Sequence, residues 1–208
     1  MEKERRLIQI RIQRLKEKIP VSKDNLKDLL KNGLFLFILF FSILFLITIK
    51  THLVSGNSML PTLQNKDRLF VVKNKEPKRY ALVTFQPREK QGESYVKRVI
   101  GIPGDRIWMD QNTVYLNHQM AATNPTPPNE KNLSGVELPD GTLKVRVTWE
   151  VAAKLKGMST IPSNSFFVLG DNRKNSTDSR ELGLIDQDKI EGVVTFRYYP
   201  LARLGLIE

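Results

Sequence analysis

GLFLFILFFSILFLITI occupies residues 33–49, seventeen residues without a charged side chain. As an α-helix this segment is about 25 Å long, at ~1.5 Å per residue. A bilayer core of about 30 Å usually needs about 20 apolar residues, and a lysine at the end, Lys50, can extend its charge towards the headgroups. Every face of the helix is apolar, unlike the one-sided pattern of a helix packed on a soluble core. The segment therefore predicts one transmembrane helix, residues 33–50.

Charged residues flank this segment unevenly. Residues 1–32 hold ten Lys/Arg and five Asp/Glu, and the positive-inside rule keeps such a basic segment in the cytoplasm. A cleavable signal peptide is the alternative, but its basic region would be unusually long. We therefore expect a single-pass protein of the cell membrane, with a cytoplasmic N-terminal segment (1–32) and an extracytoplasmic domain (51–208). Residues 1–19 have apolar residues at near-helical spacing, compatible with a helix on the inner leaflet or a solvated tail.

The composition excludes several classes of site. The chain has no cysteine, two histidines and a net charge of +11. Disulfides, thiolate metal ligands and cysteine nucleophiles are thereby excluded, and two histidines are too few for a His-rich metal site, so we expect no cofactor. Nearly half of the basic excess lies beside the apolar segment rather than on a folded module. That distribution favours the lipid bilayer, and not nucleic acid, as the partner.

After the apolar segment the pattern changes to short β-rich runs separated by turns. Strands are predicted over residues 68–73, 81–85, 94–100, 144–149, 165–169 and 193–199, with a hairpin joining 106–109 to 113–116. Residues 151–155 predict a short helix, and the Pro-rich residues 121–141 a loop. The predicted fold class is mostly β: a β domain of about 155 residues tethered by one N-terminal transmembrane helix.

The first polar segment of the outer domain is SGNSMLPTL, residues 55–63. Pro61 fixes its own φ and restricts Leu60, and Gly56 permits a close backbone approach. These residues hold Ser58 on a rigid turn shortly after the apolar segment. Taken alone, a serine in such a turn is more often structural than catalytic.

The second segment is YVKRVIGIPGD, residues 95–105. In a strand the side chains alternate between faces, so Lys97 shares a face with Tyr95 and Val99, and Arg98 points the other way. Desolvation on a partly apolar face lowers the pKa of a lysine from about 10.4, which allows the amine to act as a general base. A solvent-facing lysine is the alternative.

Two further segments are polar. Residues 170–180, GDNRKNSTDSR, form either a polar site or a surface turn whose side chains make the hydrogen bonds of its own backbone. Residues 66–72, KDRLFVV, indicate a structural turn that enters a core strand. A Ser/His/Asp triad is not supported, because His52 lies at the membrane boundary and His118 in a turn. Asp171 and Asp178 lie among arginines and are interpreted as ion-pair partners rather than as a catalytic carboxylate pair.

In this order, the four segments resemble the sequence motifs of bacterial type I signal peptidases. The single span and the modest size are similar to those of the Gram-positive branch of that family. GNSMLPT (56–62) resembles the family's Ser-Met-x-Pro-Thr motif, and KRVIG with PGD (97–105) resembles its lysine motif. GDNR with the polar residues up to Gly183 resembles its last motif. The resemblance covers most of residues 52–200.

The resemblance implies a membrane-anchored serine endopeptidase that removes signal peptides from secretory preproteins, after small residues at substrate positions −1 and −3. It implies Ser58 as the nucleophile and Lys97 as the general base. Five further residues would support the site: Ser176, by a hydrogen bond that positions the lysine amine, and the ion pairs Arg98–Asp171 and Arg180–Asp178.

The sequence departs from the family pattern at two positions. Gly56 stands where some members have a serine that helps to bind the oxyanion, so backbone N–H groups of this turn, including that of Ser58, must serve instead. Lys174 stands where an acidic residue is common. Two rival functions remain: a catalytically inactive, membrane-tethered binding factor, and a self-cleaving repressor-type protease, which should carry a DNA-binding module. Self-cleavage near Gly56 also stays open.

Overall fold

The structure, a computed structural model, describes residues 23–88, 92–120 and 140–207. It divides into two compact units, Met1–Ile47 and Thr48–Glu208. The predictions for residues 1–19, and the predicted loop over most of residues 121–141, lie outside the described residues.

The first unit contains one long helix, α1, over Lys23–Thr48. Its residues Leu26–Thr48 have a mean hydropathy of 2.3, and none of them is buried in the protein. By length and composition this helix can cross a bilayer. It begins before the predicted residue 33, because Leu26, Leu29 and Leu30 continue the apolar pattern at helical spacing.

The second unit is mostly β, as predicted. Its elements, in chain order, are β1 Ile49–Leu53, β2 Arg68–Val72, β3 Leu82–Phe85, β4 Tyr95–Gly101, β5 Arg106–Asp110, β6 Thr113–Asn117, β7 Thr142–Arg146, α2 Trp149–Leu155, β8 Ser165–Leu169, α3 Ser179–Leu182, β9 Ile185–Asp186, β10 Ile190–Tyr199 and β11 Gly205–Leu206. The larger sheet has the order β1-β2-β10-β3-β4-β8-β9, with β11 paired to β10, and β5-β6-β7 form a smaller sheet. The pairs in both sheets are antiparallel.

At two further boundaries the type of element differs from the sequence prediction. The helix was expected to run to residue 50, but the chain becomes strand β1 at Ile49, where all five residues pair with β2. The helix ends at Thr48, and the mixed polar and apolar segment that follows, IKTHL, forms its backbone hydrogen bonds with β2 instead. Residues 144–149 were expected to be one strand, but β7 ends at Arg146. The Thr148 hydroxyl accepts a hydrogen bond from the Val151 N–H and caps α2, so Trp149 is helical.

The turn that carries Ser58 is anchored in the core. Met59 and Leu63, which follow it, are 1% and 0% exposed and pack in a cluster with residues of β2 and β10. Removing such apolar side chains from water is worth ~1.5–3 kcal/mol each. Ser58 is therefore held in place by the burial of Met59 and Leu63, because moving these side chains out of the core would cost several kcal/mol of stability.

A buried carboxylate, Asp67, fixes the far end of this turn. Asp67 is fully buried and pairs with Arg203 at 2.7 Å and with Arg197 at 3.3 Å. Arg197, on β10, also donates to the carbonyl oxygen of Thr62 at 3.1 Å. A buried charge needs such partners. The KDRLFVV segment is thus structural, as interpreted from the sequence.

Candidate active site

Ser58 lies in a groove of about 760 Å³ in the second unit. One wall consists of the chain after β1, and the other of the residues that lead into β4 and begin it. The loop after β8 contributes the remaining surface. The groove is lined by His52, Val54, Ser55, Gly56, Asn57, Ser58, Met59, Glu93, Ser94, Tyr95, Val96, Lys97, Asn175, Ser176 and Thr177.

The amine of Lys97 lies against the hydroxyl of Ser58, with 2.8 Å between Nζ and Oγ. Lys97 is in the middle of β4 and is only 3% exposed. Its Nζ is 5.3 Å from the centre of the Tyr95 ring, in agreement with the shared face predicted from strand alternation. The structure therefore brings together two residues that are 39 positions apart in the chain.

Burial changes the acidity of this lysine. It lowers the pKa of Lys97 from 10.5 to about 8, although the negative charge of Asp178 acts to raise it. Near pH 8 a substantial fraction of the amine is therefore neutral. A neutral amine can accept the proton of the hydroxyl that it contacts, which is the property required of a general base.

The loop after β8 packs directly on the Ser58 backbone. A Cβ atom added to Gly170 would lie 2.1 Å from Ser176 Oγ and 2.6 Å from the Ser58 carbonyl oxygen, so only glycine fits there. The backbone N–H of Asn172 donates to the Ser58 carbonyl at 3.0 Å, and the Asn172 side-chain amide donates to the Asn57 carbonyl at 3.1 Å.

Arg98 and Asp171, which were expected to pair, form a bidentate ion pair. The Arg98 Nε and Nη2 atoms donate to the two Asp171 oxygens at 2.9 and 2.8 Å. The Thr62 hydroxyl donates to the same carboxylate at 2.6 Å. Burial acts to raise the pKa of Asp171, but the hydrogen bonds from Arg98 and Thr62 lower it overall. Asp171 thus joins the lysine strand, the serine turn and the last loop, and this role of Thr62 was not predicted.

Asp178 and Arg180 also pair as expected. Asp178 is fully buried, and Arg180 Nε donates to it at 2.8 Å. Gly170 N–H donates to its other oxygen at 2.9 Å. Burial acts to raise the pKa of Asp178, but the bonds from Arg180 and Gly170 lower it overall. The carboxylate therefore stays charged and fixes the loop that packs on Ser58.

The structure differs from the expectation for Ser176. Ser176 lines the groove, and its buried hydroxyl helps to lower the pKa of Asp178. Among the described residues, however, this hydroxyl has no partner of normal hydrogen-bond geometry. The Lys97 amine bonds Ser58 instead, and the Ser176 hydroxyl packs against Gly170. The expected bond from Ser176 to the lysine is therefore absent from this conformation.

The backbone donors of the turn also differ from the expectation. The Gly56 N–H, expected to help bind an oxyanion, donates to the Asn65 side chain at 3.2 Å. The Ser58 N–H has no acceptor within the part of the chain that the structure describes. Of the two expected donors, Ser58 N–H is therefore the one that is unoccupied in this conformation. The described residues contain no group of three or more His, Asp or Glu that could hold a metal ion.

Comparisons with known proteins agree with the motifs. Residues 26–199 match the family described as signal peptidase, peptidase S26. Signal peptidase I of Bacillus caldolyticus is 35% identical over 164 residues, 77% of this chain and 85% of that protein. Signal peptidase I of Bacillus licheniformis is 37% identical over 154 residues (72% and 76%), and signal peptidase IB of Staphylococcus aureus is 34% identical over 169 residues (78% and 85%).

A crystal structure of a signal peptidase I from Enterococcus faecalis V583 is 29% identical and covers 58% of this chain and 98% of that chain. The TM-score between the two structures is 0.35.

Proposed function

The chain belongs to the signal peptidase family, peptidase S26, and is a serine-type peptidase, and we propose that it removes signal peptides from secretory preproteins with a Ser58/Lys97 catalytic dyad. The main support for the dyad is the 2.8 Å contact between a buried lysine amine and a serine hydroxyl in an open groove. The lowered pKa of Lys97 supports the role of a base at mildly alkaline pH.

The reaction is hydrolysis through an acyl-enzyme. Neutral Lys97 takes the proton of the Ser58 hydroxyl while Oγ attacks the carbonyl carbon of the scissile bond. The tetrahedral intermediate collapses, the C–N bond breaks, and Lys97 returns the proton to the leaving amine. Lys97 then takes a proton from a water molecule that attacks the ester, and Ser58 regains its hydrogen as the carboxylic product leaves.

The oxyanion needs a donor that is free in the resting enzyme. Ser58 N–H meets this condition among the described residues, and one such donor is worth ~2.7–4 kcal/mol in the transition state. Gly56 N–H could contribute only after it leaves the Asn65 side chain. Its position on a glycine with φ +88° makes that local rearrangement accessible to the backbone.

An extended peptide fits the open edge of β4. Strand β8 pairs with β4 from Arg98 to Gly101, so within the described residues no strand covers that edge at residues 95–97. A substrate that adds a strand there passes Lys97. The buried apolar side chains of Val54, Met59 and Val96 also line this groove. Small residues at substrate positions −1 and −3, implied by the family resemblance, would suit such a surface.

We propose that α1 anchors the enzyme in the cell membrane, with residues 1–32 in the cytoplasm and the β domain outside. The support is the apolar segment Leu26–Thr48 and the ten basic residues of residues 1–32. The partners are then the lipid bilayer and secretory preproteins, with no role for nucleic acid. An inactive binding factor on this fold is the rival function, but both dyad residues are present and in contact.

The test is cleavage of a synthetic signal-peptide substrate by the purified full-length protein in detergent. Ser58→Ala should lose nearly all activity while its circular dichroism and melting temperature stay close to wild type, because only one hydroxyl is removed. Ser163→Ala, at an exposed serine outside the groove, is the matched control and should retain full activity. Full activity of Ser58→Ala would exclude the dyad.

A further inference from the structure

A polar cluster in the groove wall has no part in the proposed chemistry. Ser94, just before β4, donates its hydroxyl to Glu191 of β10 and lies 3.3 Å from Nδ1 of His52 on β1. Lys50 Nζ lies 2.6 Å from the same glutamate, and Gln86 donates to it at 3.0 Å. Three side chains, those of Ser94, Lys50 and Gln86, thus bind the Glu191 carboxylate, and His52 contacts Ser94.

The cluster joins elements that are distant in the sheet. In the strand order, β2, β10 and β3 lie between β1 and β4. His52 and Ser94 are nevertheless in contact, so the sheet curls until β1 approaches the start of β4. His52 and Ser94 line the same groove as Ser58 and Lys97, so this contact lies in the groove wall.

The arrangement is not a second nucleophilic triad. In a triad the histidine lies between the serine and the acid, whereas here Ser94 lies between His52 and Glu191. Burial lowers the pKa of His52, with Glu191 acting to raise it and Lys50 to lower it, so the imidazole is mainly neutral at neutral pH. Of this cluster, His52 and Ser94 line the groove and present neutral hydrogen-bonding groups to it, while Glu191 accepts the hydrogen of the Ser94 hydroxyl.

The distance along the chain between Ser94 and Lys97 determines which substrate residue Ser94 can contact. Ser94 is three residues before Lys97, which is about 10 Å at ~3.3 Å per residue, or about three residues of an extended substrate. His52 follows the last residue of α1 by four positions. Under the proposed function the apolar part of the substrate lies in the same bilayer as α1 and precedes the cleavage site. We therefore expect His52 and Ser94 to contact the part of the substrate before the scissile bond.

We propose that His52 and Ser94 form a specificity subsite for the fourth residue before the scissile bond, and that Glu191, by accepting the Ser94 hydrogen, makes this subsite prefer a side chain that donates hydrogen bonds. This inference rests on the proposed function and adds a determinant beyond the small residues. The Ser94 hydrogen is directed to Glu191, so the Ser94 oxygen is left as an acceptor. A glutamine can donate to that oxygen, whereas a leucine would cover it without replacing its water. A glutamate has no hydrogen to donate and would be repelled by Glu93, which lines the groove.

The experiment uses three peptides that differ only at position −4, as Gln, Leu or Glu, with full-length enzyme in detergent. Wild type should cleave the Gln peptide with a kcat/KM about 5-fold above the other two, the effect of roughly one hydrogen bond. Glu191→Gln and Ser94→Ala should reduce this ratio to below about 2-fold. Glu150→Gln, in an exposed ion pair with Lys154, is the control and should keep the ratio. The same substitutions at position +4 should have no effect.

A binding measurement separates this inference from the dyad. Fluorescent forms of the peptides are titrated into Ser58→Ala enzyme, which needs no hydrolysis for a signal. Stronger binding of the Gln peptide, lost in Ser58→Ala/Glu191→Gln, would support the subsite even if cleavage proved independent of Ser58. Equal binding of the three peptides, or a preference that survives Glu191→Gln, would overturn it.

Discussion

The backbone N–H of Asn172 donates to the carbonyl oxygen of Ser58 at 3.0 Å. The residue proposed as nucleophile is therefore held on two sides, by the Lys97 amine at its hydroxyl and by Asn172 at its carbonyl. Asn172 follows Asp171, whose carboxylate is bound by Arg98, the neighbour of Lys97 in β4. Ser58 and Lys97 are thus connected both directly and through Asn172, Asp171 and Arg98, and each of these contacts can be tested.

The first prediction concerns the base. Lys97→Arg keeps a long cationic side chain, but arginine cannot be deprotonated in this pH range. The variant should therefore be as inactive as Lys97→Ala, with kcat/KM at or below about 10⁻³ of wild type, within the range for loss of a base that activates a nucleophile. Steady-state kinetics on one peptide would measure both variants. An active Lys97→Arg enzyme would mean that another group is the base.

The second prediction concerns the Arg98–Asp171 pair. Both side chains are largely shielded from water, so Arg98→Ala and Asp171→Ala should each lower the free energy of unfolding, with a coupling energy of about 1–3 kcal/mol in a double-mutant cycle. Denaturant unfolding of the four proteins gives this value. The exposed Glu150–Lys154 pair is the control, and its coupling should be below ~0.5 kcal/mol. Equal coupling in both pairs would contradict the anchoring role of Asp171.

The third prediction concerns the contact between Gly170 and the serine turn. An added methyl group would collide with Ser176 and with the Ser58 carbonyl, so Gly170→Ala must displace the loop or the turn. A displacement of about 1 Å at a reacting group can lower kcat/KM by ~10²-fold. Gly205→Ala, where an added Cβ meets nothing within 4 Å, is the control. Near-normal kcat/KM for Gly170→Ala would show that this contact does not position Ser58.

The fourth prediction concerns topology. A protease added to wall-stripped cells should digest the β domain and spare residues 1–32, because the ten basic residues before the apolar segment hold that end in the cytoplasm. Antibodies against each end would identify the fragments. Protection of the β domain in intact cells, with digestion after lysis, would reverse the proposed orientation.

The sequence predicted those features that depend on local pattern. Strand alternation placed Lys97 beside Tyr95, and the run of apolar residues marked the helix. Contacts between distant segments left no local signal. The bridge from Thr62 to Asp171 and the convergence of His52 and Ser94 depend on how the sheet curls, which no single segment encodes.

Competition for one partner explains two of the other differences. The Gly56 N–H donates to Asn65, nine residues later, and the chain leaves the helix for β1 because β2 offers pairing to all five residues of Ile49–Leu53. In both cases a neighbour in space decides the conformation, and the identity of that neighbour depends on the fold of the whole domain.

In the proposed mechanism Lys97 must be neutral when it takes the Ser58 proton. The decisive measurement is the pH dependence of wild-type kcat/KM on a peptide without titratable groups, because this ratio reports ionisation in the free enzyme. Since a lysine gains activity as a base when it loses its proton, kcat/KM should rise tenfold per pH unit and level off above an apparent pKa of about 8. A flat profile, or a rise that continues to the ordinary lysine pKa of 10.5, would show that a Lys97 of lowered pKa is not the base.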